Sequence, residues 1–191
     1  MALDTITTQA EVTIVDSLDW ERVRELSLMA LEESPCSFGL TLEEKLRKEP
    51  KSWIEHLDSL SSRTFLLDTK QLIGLATIKE SNNPAEALLY GTWVAPKSRG
   101  LGAGNLLIQT AIEYAIGFGY QRIILSVGSD NHPAQALYER HGFVKTGLEA
   151  PQPMPRQHVR EIQLALTLPH TEFLEIPTLA SEAPAPVGLL N

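Results

Sequence analysis

Cysteine is nearly absent from this chain. Cys36 stands alone among 191 residues, which excludes an internal disulfide and any zinc site built on several thiolates. With no cross-link to protect, the chain reads as a protein of a reducing, cytoplasmic setting. Basic residues are also scarce: Lys+Arg 16 against Asp+Glu 24 leaves a formal net charge of -8. The surface therefore lacks the broad positive field of a nucleic-acid binder, and a bound phosphate has to be held locally. No apolar run reaches the roughly 18 residues of a membrane span; the longest, Leu106 to Phe118, is broken by Gln109, Thr110 and Glu113. The first residues carry Asp4 and no base, unlike a secretory or transit peptide. Nucleic acid and membrane are thus not expected partners. Apolar side chains make up 43% of the residues, enough for one core in a chain short for two.

Along the chain, residues 1–10 read as a polar leader and 11–168 as one domain. Residues 169–191 read as a proline-rich tail, disordered or draped on the surface. Alternation over 11–16 predicts a strand, and Trp20, Val23, Ala30 and Leu31 predict a helix capped by Asp19 and stopped at Ser34-Pro35. Thr41 with Glu44 has capping-box spacing, Pro50 limits that second helix, and 52–60 suits a third. Three β-rich runs, 64–68, 72–79 and 87–94, form an antiparallel meander. A helix with Leu107, Ala111, Tyr114, Ala115 and Phe118 on one face follows, then a strand over 122–127. A helix from Pro133 to the Gly142 stop and strands over 143–146 and 158–168 complete the domain.

The chemistry is concentrated in Arg99-Gly100-Leu101-Gly102-Ala103-Gly104, a loop feeding straight into a helix. Glycines remove side chains there and let backbone N–H groups and the helix dipole converge on one point, which holds an anion without net positive charge. No Gly-Lys-Ser/Thr follows, so it is not a Walker loop. It comes after an antiparallel meander, not after the first strand of a parallel βαβ unit, which argues against a dinucleotide fold. A turn that only lets the helix pack closely is the simpler alternative.

The stretch from Trp93 to Leu107 resembles the acetyl-CoA loop of the GNAT superfamily of N-acetyltransferases, Arg/Gln-x-x-Gly-x-Gly/Ala after a strand. Asn131, Ala134, Tyr138, Gly142 and Phe143 reproduce the spacing of the family's second signature. The resemblance implies an α/β (α+β) fold with a mixed, mostly antiparallel sheet splayed between strands 4 and 5 and flanked by helices. It implies acetyl-CoA as co-substrate, no metal, and transfer to a primary amine by direct attack in a ternary complex. The acceptor is a small-molecule or protein amine, and the chain a monomer or homodimer. By the same resemblance the amides of Arg99, Gly100, Leu101, Gly102, Ala103 and Gly104 bind the pyrophosphate. The Trp93 and Val94 main chain pairs with the pantetheine arm like an added strand, the Val94 N–H polarises the thioester, and Asn131 meets the arm. Tyr138 hydrogen-bonds the departing sulfur. Lys97 and Arg99 are cations near the phosphates or solvated loop charges.

One feature departs from the family. Many members carry a glutamate on strand four as base, whereas the matching inward positions here are Leu88 and Tyr90. Glu86, Glu32 and Glu33 remain as water-mediated candidates or plain solvated charges. This departure keeps open a second reading, a catalytically weak acyl-CoA-binding sensor. His132 and His141 lack a third ligand at metal spacing. Cys36, near Phe38 in the region where the family shapes its acceptor pocket, lacks a base and reads as a packing residue.

Overall fold

The computed structural model describes residues 11–69 and 72–169, so the leader and all of the tail after Pro169 lie outside the described residues. The element order is β1 (Glu11–Val15), α1 (Trp20–Glu33), α2 (Leu42–Leu46), α3 (Pro50–Asp58), β2 (Ser62–Asp68), β3 (Leu72–Glu80) and β4 (Glu86–Val94). Then follow α4 (Ala103–Phe118), β5 (Arg122–Gly128), α5 (His132–Arg140), β6 (Val144–Pro151) and β7 (Arg160–Thr167).

Local chemistry explains most boundaries. Thr41 and Glu44 form the reciprocal capping box, and Asn131 accepts from the Ala134 N–H to start α5. Pro50, expected to limit α2, instead opens α3 at its first turn, where a missing N–H costs nothing. Asp19 occupies the N-cap position of α1 but makes no capping bond; Asp16 upstream caps a 3-10 turn over Ser17–Asp19. Gly119 (φ 93) and Gly142 (φ 88) take the left-handed conformation that ends α4 and α5. Phe118, assigned to the buried face of α4, is 52% exposed and stacks on Tyr114 and Tyr120 at the helix end.

The seven strands are ordered β1-β2-β3-β4-β5-β7-β6, and every neighbouring pair is antiparallel except β4 and β5. That parallel pair joins only at Glu86↔Arg122, Ala87↔Ile123 and Leu88↔Ile124. From Leu89 onward β4 has no partner on β5, so the sheet opens into a V. Between Thr77↔Tyr90 and Leu75↔Trp93 the β3–β4 register slips, and Gly91 (φ 65) supplies the positive-φ residue of the bulge. The bulge changes which face each side chain meets: Ala87 and Leu89 join the core under α4, whereas Trp93 joins the second core under α1 and α3.

Candidate active site

A cleft of about 630 Å³ occupies the opening between β4 and the α4–α5 side of the sheet. Trp93, Val94, Arg99, Gly100, Gly102, Gly104, Asn131 and Tyr138 line it; Leu101 and Ala103 do not. Thus most of the residues singled out by motif, 45 positions apart at the extremes of that set, share one cavity.

The glycines of the loop do different things. Gly100 (φ 75) and Gly102 (φ 87) hold conformations that L side chains rarely adopt, and a Cβ on either would meet nothing within 4 Å. Gly104 is a packing residue, because a Cβ there would come within 3.0 Å of Leu137 Cδ2 on α5. Gly102 is the N-cap of α4 and offers no capping side chain, and no acid sits in the first turn. The first bond of this helix entrance is Leu106 N–H to the Gly102 carbonyl at 3.1 Å; the N–H groups of residues 100–105 donate to no described acceptor. A 16-residue helix so left uncapped presents its positive end and a row of free donors to the cleft, which fits the pyrophosphate of a coenzyme A thioester.

Arg99 lines the cleft, is partly exposed and is ion-paired. Its Nη1 and Nη2 donate to Glu33 at 3.0 and 2.6 Å, and its Nε donates to the Val94 carbonyl at 3.0 Å. One lone pair of Val94 is therefore already engaged within the chain. Glu33 also accepts from the Trp93 indole at 3.1 Å and the Ser34 hydroxyl at 2.5 Å. The Arg99 guanidinium is the main reason the Glu33 carboxyl is lowered to about 2, which makes it a weak proton acceptor near neutrality. Glu86, a second candidate, pairs with Arg122 at 3.1 Å at the closed end of the V.

Deeper in the cleft, Tyr138 is buried and crosses Phe143 edge-on at 5.8 Å. Burial raises its hydroxyl pKa; Thr92 lies close enough to pull it slightly back but forms no hydrogen bond of normal geometry. The Thr92 hydroxyl is consequently buried without a partner beside the tyrosine. Asn131 lines the cleft while its Oδ1 caps α5 at 3.2 Å from the Ala134 N–H.

The opposite wall comes from Ser34, Ser37 and Phe38, around a 3-10 turn over Pro35–Ser37. Cys36 in that turn is exposed, not packed. Gln152 and Arg156, between β6 and β7, hold the turn by donating to the Cys36 and Pro35 carbonyls at 3.0 and 2.9 Å. Neither carries a signal in the sequence, where both look like polar loop residues, 116 and 121 positions from their partners. On β4, Tyr90 turns toward His56 Nε2 at 3.4 Å, and burial pushes its hydroxyl up to about 12. Among the described residues no three His, Cys, Asp or Glu side chains gather as a metal would need, and no helix is long and apolar enough to cross a membrane.

Residues 20–143 match the Acetyltransferase (GNAT) family. The chain belongs to that family. The GNAT chain is 31% identical over 97 residues to the mycothiol acetyltransferase of Corynebacterium efficiens, covering 51% of this chain and 31% of that protein. It is 31% identical over 96 residues to the spermidine N(1)-acetyltransferase of Vibrio cholerae, covering 49% of this chain and 56% of that protein. It thus spans well under two thirds of either relative. A GNAT-family acetyltransferase of Streptococcus pneumoniae superposes with a TM-score of 0.71 at 21% identity, covering 84% of this chain and 99% of that one. The V. cholerae spermidine N-acetyltransferase in complex with CoA and spermine gives 0.67 at 21%, covering 84% and 96%. Both show the same fold.

Proposed function

We propose that this chain transfers the acetyl group of acetyl-CoA to a primary amine by direct attack within a ternary complex. The observation that carries the reading is the V between β4 and β5, with the unpaired N–H groups of residues 100–105 at one end and the Tyr138 hydroxyl inside. The family's chemistry and relatives named for acetylating spermidine support it.

In this reading the amides of Gly100 to Gly104, joined by that of Asn105, hold the pyrophosphate, while the Arg99 amide, expected among them, is already bonded to the Pro96 carbonyl at 3.2 Å; the Trp93–Val94 main chain aligns the pantetheine arm, and the Val94 N–H polarises the thioester carbonyl. Asn131 orients the arm from the start of α5. A lysine-like amine with a pKa near 10.4 gives up its proton at pH 7 at a cost of about 4.6 kcal/mol. No carboxylate lines the cleft among the described residues, so water takes that proton. The leaving thiol has a pKa near 8.5, well below that of a buried tyrosine, so Tyr138 stabilises the developing thiolate by hydrogen bonding and does not fully transfer its proton.

Free-thiol release from acetyl-CoA across a panel of primary amines tests the reading. Initial velocities that intersect when both substrates are varied support direct attack, and parallel lines contradict it. The missing β4 carboxylate favours a second reading, an acyl-CoA sensor. Binding of acetyl-CoA with no amine-dependent turnover would select it.

A further inference from the structure

Arg156, between β6 and β7, is 7% exposed, yet only one of its guanidinium nitrogens is used. Nη1 donates to the Pro35 carbonyl at 2.9 Å, while Nε and Nη2 are buried with no partner. Those two nitrogens form one edge of the planar guanidinium, and that edge matches the two oxygens of a carboxylate. No described carboxylate pairs with it. Glu44 senses its charge, but its carboxylate already accepts from the Thr41 N–H and hydroxyl. Gln152, 1% exposed, holds the Cys36 carbonyl and Glu161 through Nε2 and leaves its own Oε1 buried and unpartnered.

Buried charges in folded proteins are paired as a rule, because a charge taken from water without compensation is strongly unfavourable. A buried guanidinium edge with no acceptor among the described residues therefore calls for one from outside them. Its position says where that acceptor comes from. Arg156 and Gln152 grip the Pro35–Ser37 turn, and Ser34, Ser37 and Phe38 around that turn line the cleft. Neither Arg156 nor Gln152 itself lines the cleft, so a molecule there reaches the edge only if the turn shifts away from the β6–β7 segment.

We propose that the Nε/Nη2 edge of Arg156 anchors a carboxylate carried by the acceptor amine. The acceptors would then be amino acids, or peptides through a carboxyl group. This inference rests on the acetyl-transfer reading above and narrows its substrate class. A carboxylate uses both of its oxygens on the edge. The test pairs each free amino acid with its amide, and glycyl dipeptides with theirs, against acetyl-CoA and the intact chain. Thiol release gives kcat/KM, and calorimetry on the CoA-loaded protein gives affinity. At least one acid exceeds its amide by about tenfold or more in both readouts, as expected where a buried polar group loses its partner. Whether free acids or dipeptides show the larger ratio identifies the source.

In Arg156→Gln the acid-to-amide ratio falls to about one, whatever the loss of the Nη1 bond to the Pro35 carbonyl does to activity on the amide. Arg156→Lys, which keeps the charge and loses the planar edge, gives an intermediate ratio and decides the matter if the glutamine variant does not fold. Equal response to acids and amides in the unmodified protein overturns the proposal, as does a Gln variant that weakens both alike; buried water then fills the site. Arg156-dependent binding of acids with no thiol release from any amine sinks the acetyl-transfer reading but not the anchor.

Discussion

Glu33 at the end of α1 and Arg99 before α4, 66 residues apart, meet through two contacts of 3.0 and 2.6 Å. The same carboxylate takes the Trp93 indole, and the same guanidinium takes the Val94 carbonyl. One ion pair therefore ties three things together: the α1 end of the cleft, the last two residues of β4 and the loop whose amides face the helix entrance. Its orientation is two-pronged, which a lysine at position 99 could not reproduce.

The pair gives a pH signature. Glu33 is lowered from 4.5 to about 2 chiefly by Arg99, so the stability it contributes is fully present above pH 4.5 and is lost as pH falls toward 2. The side chains are 47% and 32% exposed, so solvent screening limits the contribution to about 1 kcal/mol. Urea unfolding should find Glu33→Gln less stable than the parent by that amount at pH 7. The gap should close between pH 4.5 and 2; a gap independent of pH would show that the pair does not set the difference.

Much of the fold is legible along the chain because its causes are local. The Thr41–Glu44 box, the cap at Asn131 and the positive-φ glycines at 119 and 142 each act within a few residues. The edge order β5-β7-β6 and the slip at Gly91 are not legible, since each depends on pairing with distant strands. The site divides in the same way. The loop and the α5 signature stand out as motifs, whereas Glu33 reads as a solvated acid until Arg99 is placed beside it. Thr92, Gln152 and Arg156 carry no pattern at all, because burial alone makes their unpartnered atoms informative.

Gly102 separates backbone strain from anion repulsion. Gly102→Ala places a methyl in open space at φ 87 and should cost about 1–2 kcal/mol of stability. Acetyl-CoA affinity should change little. Gly102→Glu adds a negative charge at the free N–H groups and should abolish measurable binding in a folded protein. Calorimetry giving both variants the same affinity would remove the loop from the phosphate site. Gly104 is the poorer probe, because Leu137 already crowds it.

Tyr138→Phe keeps the edge-on contact with Phe143 and removes only the hydroxyl. It should lower kcat by about ten- to a hundredfold with acetyl-CoA affinity preserved. Unchanged turnover under conditions where chemistry limits the rate would leave the tyrosine a packing role.

The domain boundary is testable by truncation. Leu168 is buried and its N–H donates to the Gln121 carbonyl at 2.8 Å, so the chain is pinned to the sheet up to that point. A protein ending at Pro169 should melt within a few degrees of the full chain and bind acetyl-CoA equally well. A large fall in melting temperature, or a change of oligomeric state by light scattering, would place structural contacts in residues 170–191.

In the proposed complex acetyl-CoA lies in the V with its pyrophosphate on the entrance of α4. Amide proton–nitrogen spectra recorded during a coenzyme A titration test that placement directly. The largest shifts should fall on the N–H groups of residues 100–105, with a second set at Val94 and at the start of α5. Saturable binding that leaves residues 100–105 unmoved, or no saturable binding, would contradict it.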